Sequence, residues 1–233
     1  MRFQQVVLEQ FSPTVLPGQL RRVRLTLGFG FVVAVICVIG VYGLSQATGV
    51  PLAKLTRDPA TVTNSYFYVG ILSNLGILLW SASTAICFFG ALLLNSDQRF
   101  RQSTVFLFCS GLICLLLTLD DTFLFHEEVF PTYLKIPEAG VYLIYMVILA
   151  GYFFYFLPNL LSTDYLLLIV AGFFLGASIF IDAALPFSNT ETFVEDCLKF
   201  SGIVFLLGYF SHTTAAIIRR NYTDAASEPS APQ

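Results

Sequence analysis

The fold of this chain is decided by residues 105–128, VFLFCSGLICLLLTLDDTFLFHEE. The first fourteen of these residues carry no charge, and the last ten place four acids around one histidine. Such a long uncharged run predicts a membrane-spanning helix. A carboxylate at the centre of a bilayer costs about 2.5–3.5 kcal/mol on insertion scales, so acids that directly follow the run need a reason. The stretch therefore predicts a membrane helix that ends in a polar site.

The composition of the whole chain supports the same class of protein. Its 233 residues are 56% hydrophobic and only 12% charged, whereas soluble domains average about 25% charged residues. Several further apolar runs exceed the roughly 18 residues that indicate a transmembrane helix. The sequence therefore predicts an integral membrane protein whose partners are membrane lipids and other membrane-protein subunits. It has no basic run, and its hydropathy excludes the nucleic-acid-binding class.

The apolar runs predict an all-α, polytopic membrane protein built as a bundle of six transmembrane helices. The predicted spans are residues 23–45, 66–94, 103–125, 137–157, 163–185 and 192–218. They form one transmembrane domain, residues 23–218. An N-terminal interfacial or cytoplasmic segment, residues 1–22, precedes it, and a disordered tail, residues 219–233, follows it.

The positions of Lys and Arg predict the orientation of the bundle. Eight of them lie on the side of the two termini, and four lie on the opposite side. Because positively charged loops stay in the cytoplasm, both termini are predicted to be cytoplasmic, in the cell membrane or an inner membrane. The acids after the third span are then predicted to lie on the non-cytoplasmic side.

Three helix ends meet on that side: the end of the third span, the end of the fifth and the start of the sixth. Asp120 lies roughly 24–26 Å along the third span, inside a hydrocarbon core of about 30 Å, so Asp120 or Asp121 should face the bundle interior and not lipid. The candidate metal ligands are Asp120, Asp121, His126, Glu127 and Asp182. A second polar group, Glu195, Asp196 and Lys199, begins the sixth span, where either acid is spaced to pair with the lysine.

This acidic site supports three functional hypotheses. Carboxylates with one imidazole suit a divalent metal ion, which could activate water to hydrolyse a lipid-like substrate. The same groups could instead form the mouth of an ion or proton pathway. In the third hypothesis the chain is a non-catalytic accessory or assembly subunit of a membrane complex, and the acids hold helices together. The sequence assigns no catalytic residue.

The polar residues also have structural interpretations. Thr192-x-x-Glu195 matches a capping box for the start of the sixth span. Lys199 could serve only to neutralise Asp120 or Asp182 within the bundle. These alternatives leave open whether the acidic site is functional or structural.

The position of His126 depends on where the third span ends. If the helix continues, Asp120 and Glu127 share one face, because residues seven apart lie nearly above one another. His126 lies off that face unless the chain bends or unwinds before Pro131. It is therefore a ligand candidate only if the helix end folds back.

Aromatic and small residues are interpreted as packing residues. The dense aromatic residues, among them Trp80, Tyr142 and Tyr145, are predicted to form interfacial belts and helix contacts. Gly172 and Gly176 on the fifth span suit close packing against another helix, either within the bundle or on a partner protein.

Residues 73–75, Ser-Asn-Leu, lie in the second span and are followed by the acids that end the third. A serine on an early helix and an acid at the end of the next resemble the ceramidase-like membrane hydrolases. Zinc binding in those proteins implies three histidines, but this chain has two, at opposite ends of the bundle, and no HxxxH pair on its last helix. Their activity is therefore not carried over to this chain.

Overall fold

The computed structural model describes residues 16–57, 59–66, 68–95, 98–184 and 189–227. Over these residues every regular element is a helix, which confirms the predicted all-α class. Five segments are long and apolar enough to cross a membrane: Ile71–Leu94, Gln98–Phe123, Glu138–Leu161, Tyr165–Asp182 and Thr192–Arg220. They coincide with the second to sixth predicted spans. The chain is an integral membrane protein of the helical type.

The first of two compact units comprises Met1–Val69. Its helices are α1 (Leu16–Thr48), α2 (Leu52–Thr56) and α3 (Pro59–Thr63). Helix α1 ends at Thr48, and the next residue, Gly49, has a φ of +70° that suits a left-handed cap and an N–H that bonds the carbonyl of Ser45 at 2.9 Å. The predicted first span, residues 23–45, falls inside α1. The apolar segment of α1 is Ala34–Thr48, which is shorter than the five segments above, so this span stays a prediction.

The second unit comprises Gly70–Gln233 and contains all the predicted site residues. Its α-helices are α4 (Ile71–Leu94), α5 (Arg101–Phe123), α6 (Glu138–Leu161), α7 (Tyr165–Ala184) and α8 (Asn189–Ser227). A short 3₁₀ helix, Gln98–Phe100, precedes α5, and a π-helix, Phe125–Leu134, follows it. Helix α8 thus continues beyond the predicted end of the sixth span at residue 218.

Helices α4 and α8 form the centre of the second unit. Helix α4 packs against α5 and α8, α8 also packs against α7, and α5 contacts α6. The most apolar stretch of α4 is 39% buried, whereas those of α6 and α7 are only 11% buried. Buried residues that include Trp80, Phe106 and Tyr209 form the core between these helices. The two peripheral helices, α6 and α7, therefore leave most of their apolar surface uncovered.

Three glycines allow the central helices to approach each other closely. A Cβ atom added at Gly90 would lie 2.5 Å from the Cγ2 of Thr214, between α4 and α8. One added at Gly202 would lie 2.6 Å from the Cγ of Leu175, between α8 and α7. Gly111 does the same for α5 against Phe88 of α4. Small residues at these crossings permit the backbone contact that drives helix association in lipid.

The two predicted terminal segments lie partly outside the described residues. Residues 1–15 and 228–233 are outside that part of the chain, whereas residues 16–22 belong to α1 and residues 219–227 belong to α8. The boundaries of the predicted interfacial segment, residues 1–22, and of the predicted tail, residues 219–233, stay predictions. In the names used below, the acidic end of the bundle is where α5 ends and α8 begins. The basic end is where α5 begins and α8 ends.

Candidate functional site

A left-handed residue ends α5 and returns the chain to the bundle. The helix stops at Phe123, and Leu124 has φ of +52° and ψ of 47°. This conformation costs a leucine roughly 1–2 kcal/mol. Its N–H still bonds the carbonyl of Asp120, and the π-helix begins with the N–H of Glu128 bonded to the carbonyl of Leu124 at 2.8 Å. His126 was expected near the acids only if the helix bent or unwound before Pro131. The turn at Leu124 is such a change.

Asp120 and His126 form a buried pair across this turn. The Nδ1 of His126 lies 2.6 Å from the Oδ2 of Asp120, and the backbone N–H of His126 bonds Oδ1 at 3.0 Å. The hydroxyl of Tyr145 on α6 donates to the same Oδ1 at 2.7 Å. Asp120 is 4% exposed and His126 is 6% exposed. Both oxygens of the Asp120 carboxylate are therefore engaged by protein groups.

The second ring nitrogen of His126 faces another acid. Its Nε2 lies 3.4 Å from the Oε1 of Glu127, whose side chain is 51% exposed. Burial alone would lower the pKa of His126, but the hydrogen bonds to Asp120 and Glu127 raise that pKa to about 10. The hydrogen bond to His126 in turn lowers the pKa of Glu127, against the opposing effect of its partial burial. At neutral pH His126 is an imidazolium between two carboxylates.

Asp121 forms a second set of contacts, to two other helices. Its Oδ1 lies 2.7 Å from the Nζ of Lys199 on α8, and its Oδ2 accepts a hydrogen bond from the indole N–H of Trp80 on α4 at 3.0 Å. The side chain of Asp121 is 11% exposed and that of Lys199 is 33% exposed. The partner of Lys199 is thus Asp121, and not Asp120, Asp182 or an acid of its own helix as the spacing suggested.

The remaining predicted site residues lie around these two groups. Asp182 is exposed and accepts a hydrogen bond from the hydroxyl of Tyr142 at 3.1 Å, and this hydroxyl also lies 3.3 Å from a carboxylate oxygen of Glu138. Glu195 is half-buried and Asp196 is exposed at the start of α8. Asp196 lines a cavity of about 30 Å³ beside Asp121 and Lys199. That volume suits one or two water molecules.

The geometry does not support the predicted metal site. Over the part of the chain that is described, no three His, Cys, Asp and Glu side chains are grouped so that they could hold a metal ion. The physical reason lies in the partners of the predicted ligands. Asp120 and His126 bind each other, and the ammonium group of Lys199 occupies the Asp121 oxygen that a cation would need.

Three aromatic residues belong to the site, although the sequence suggested packing roles for them. Trp80, Tyr142 and Tyr145 each donate a hydrogen bond to a carboxylate on a different helix. The sequence did indicate that Tyr142 and Tyr145 could lie near acids, since both are within two turns of Glu138 at the start of the fourth span. Trp80 gave no such signal, because nothing in its neighbourhood in sequence is charged.

Comparison with known proteins adds a family but no activity. Residues 29–213 match DUF8692, a domain of unknown function. The match covers more than three quarters of the chain, which therefore belongs to this family. No curated protein and no solved structure matches the chain.

Proposed function

We propose that this member of the DUF8692 family is a non-catalytic accessory or assembly subunit of a membrane complex. In this role the acids of the bundle hold its helices in place, and a lateral helix face binds another subunit. We also infer that α1 supplies a sixth span and that both termini are cytoplasmic. The acidic end then faces the non-cytoplasmic compartment.

The observation that carries the proposal is that the carboxylates of Asp120 and Asp121 are both engaged by groups on other elements. Asp120 accepts hydrogen bonds from Tyr145 on α6 and from His126 on the π-helix. Asp121 binds Trp80 on α4 and Lys199 on α8. Removing one member of a buried ion pair costs about 3–5 kcal/mol, because the other charge stays in a low-dielectric environment. Carboxylates that already bind groups on several elements are suited to holding those elements together, and less suited to binding a metal ion or accepting a proton.

Ion transport has less support, because hydroxyls in the middle of the bundle, such as those of Ser83 and Thr118, donate to carbonyls of their own helices. Ser83 donates to the carbonyl of Leu79 at 3.0 Å, and Thr118 donates to the carbonyl of Cys114 at 2.7 Å. Ion pathways through a bilayer need polar groups that face a shared cavity. A hydroxyl bonded to the preceding turn of its own helix provides little of this.

The face for a partner is argued from the glycines of α7. Gly172 and Gly176 have the Gly-x-x-x-Gly spacing that allows two transmembrane helices to approach closely. A Cβ added at either glycine would meet no atom within 4 Å, in contrast to Gly202 at an occupied crossing. Phe173, on the same helix, is 69% exposed. We propose that one transmembrane helix of another subunit packs here.

The docking face can be tested by filling it. Gly172→Leu and Gly176→Leu should leave the unfolding midpoint of the purified protein unchanged, because each added side chain enters open space. In native membranes the same variants should shift the tagged protein from a larger complex to its monomer size on a native gel. Gly151→Leu on α6 is the matched control, since its Cβ also meets nothing within 4 Å. A wild-type protein that runs only as a monomer would refute the assembly role.

The metal-dependent enzyme is tested by elemental analysis of the wild type beside Asp120→Asn. We expect no stoichiometric metal in either protein after purification without chelators. One equivalent of a divalent metal in the wild type that is lost in Asp120→Asn would contradict the structural role. Asp164→Asn is the control, because this acid lies at the basic end.

A further inference from the structure

The docking face of α7 is apolar along its length and ends beside charged groups. It runs from Leu166 to Phe180, with Ile169 and Phe173 between them, and these four side chains are between 58% and 69% exposed. Spacings of three, four and seven residues place them along one side of the helix, next to the two glycines described above. At 1.5 Å per residue the face is about 21 Å long. The first charged residue after it is Asp182.

Asp182 has a neutral partner and acidic neighbours. Its Oδ2 accepts a hydrogen bond from the hydroxyl of Tyr142 at 3.1 Å, and the Oε1 of Glu138 lies 3.3 Å from the same hydroxyl oxygen. A phenol has a single proton, so it can donate fully to only one of the two carboxylates. Glu195 at the start of α8 also repels Asp182. A positive charge added near Asp182 would therefore be stabilising.

The described cations at the acidic end of the second unit are already used. His126 and Lys199 belong to the ion pairs described above, and the Nζ of Lys135 donates to the carbonyl of Thr132 at 2.8 Å. Asp182 takes part in none of these contacts. Because the docking face of α7 ends at this acid, a helix packed on the face would bring its own end close to Asp182.

We propose, on the basis of the assembly role, that this face binds a transmembrane helix of a different polypeptide that carries a lysine or arginine at its end beside Asp182. The apolar part of that helix packs against the two glycines, where the backbones can approach closely. Its basic side chain, which is long and flexible, reaches the carboxylate of Asp182. Complementary charge of this kind selects a partner and fixes its direction more than it adds affinity.

A second copy of the same chain is a poorer match for this face. Copies that share one orientation in the membrane would pack α7 parallel to α7. The two Asp182 side chains would then lie at the same end of the interface, each with its own Glu138 and without an added cation. Like charges placed together across an interface disfavour such a partner.

The test reverses the charge of Asp182 in native membranes and measures the ratio of complex to monomer on a native gel. Asp182→Asn keeps an acceptor for Tyr142 and should lower this ratio about twofold to fivefold, the range for one exposed ion pair. Asp182→Lys replaces attraction by repulsion and should lower it at least about fivefold. Glu128→Lys is the matched control, because it makes the same charge change at an exposed residue of the acidic end that lies on the π-helix. It should leave the ratio unchanged.

A second measurement identifies the charge of the partner directly. A benzophenone side chain at position 173, in the middle of the docking face, is photo-crosslinked in the same membranes. Mass spectrometry of the crosslinked peptide then gives the sequence of the bound helix. We expect a lysine or arginine at the end of that helix beside Asp182. Unchanged unfolding midpoints of the purified Asp182 variants would show that they fold.

The possible outcomes separate the charge of the partner from the assembly role. A complex that is lost in Gly172→Leu but kept in Asp182→Lys would overturn the basic partner and leave the assembly role standing. An adduct to a second copy, to another segment of the same chain or to a helix without a basic end would also overturn it. Equal losses in Asp182→Lys and Glu128→Lys would do the same. A wild-type protein without any complex would refute the assembly role and the basic partner together.

Discussion

The two ends of the bundle treat their charged groups in opposite ways. At the acidic end, Asp120 and Asp121 are held by partners from neighbouring elements, and the adjacent cavity measures about 30 Å³. At the basic end, Arg99 and Arg220 line a cavity of about 440 Å³ together with Asp164, whose Oδ2 lies 2.6 Å from the Nδ1 of His212. The acidic end thus closes around its charged groups, whereas the basic end leaves free volume beside them.

The largest effect that we expect comes from deprotonating His126. Its pKa is about 10 in the folded protein, above the usual value of 6.5, so its stabilising contribution is fully present below pH 6.5 and is lost as the pH rises through 10. Loss of one proton leaves both Asp120 and Glu127 without their shared cation. The unfolding midpoint in detergent should fall steadily between pH 6.5 and 10.

His126→Gln provides the control for this pH dependence. The variant should be less stable at pH 6.5, and its midpoint should lack the component that titrates towards pH 10. Identical pH profiles for the wild type and the variant would show that the stability of the acidic end does not depend on a charged imidazole. The contrast between the acidic and basic ends would then lose its main support.

Breaking the ion pair between α5 and α8 should have the next largest effect. Lys199→Met leaves Asp121 with only Trp80 and should cost about 2–3 kcal/mol, less than a fully buried pair because Lys199 is 33% exposed. The free energy of unfolding can be measured by titration with SDS. Adding Asp121→Asn to Lys199→Met should recover part of the loss. A double variant no more stable than Lys199→Met would argue against coupling between the two side chains.

Loss of one hydrogen bond at the buried pair should cost less. Tyr145→Phe removes the 2.7 Å bond to Asp120 and should destabilise the protein by about 1.5 kcal/mol, the lower range for a bond to a charged acceptor. Tyr142→Phe, which removes longer contacts to two exposed acids, is the matched control and should cost less than Tyr145→Phe. Equal effects in the same SDS titration would mean that burial does not distinguish the two tyrosines.

The smallest effect is expected at the basic end. Arg220→Gln should change the free energy of unfolding by no more than about 0.5 kcal/mol, as for most exposed substitutions. The same titration checks this value beside Lys199→Met. A loss at Arg220 as large as that at Lys199 would remove the distinction between the two ends.

The sequence predicted the class of protein well because hydropathy is a local property. Five apolar runs correspond to the five helices that are long and apolar enough to cross a membrane. The depth argument predicted that Asp120 or Asp121 faces the interior, and Asp120 is buried there. The partners of the acids could not be predicted in this way. Lys199 is separated from Asp121 by 78 residues, and spacing along α8 favoured the wrong partners.

The position of His126 shows a second limit. It depends on Leu124 in a left-handed conformation, which in most proteins is marked by glycine or asparagine. A leucine at this position gives no signal of the turn. The metal hypothesis had the same cause. Residue types show which side chains could bind a metal ion, but they do not show which of these side chains already bind each other.

The turn at Leu124 also affects how the chain enters the membrane during synthesis. Asp120 finds His126 only six residues later, so its charge is balanced almost as soon as α5 leaves the ribosome. Asp121 must wait for Lys199, and at about 5–20 residues per second the 78 residues between them take roughly 4–16 s. We therefore expect Asp120 and Asp121, although adjacent in sequence, to acquire their partners at two different stages of biogenesis. Nascent chains that end before α8 should be degraded faster than the same chains carrying Asp121→Asn, as pulse-chase labelling can measure.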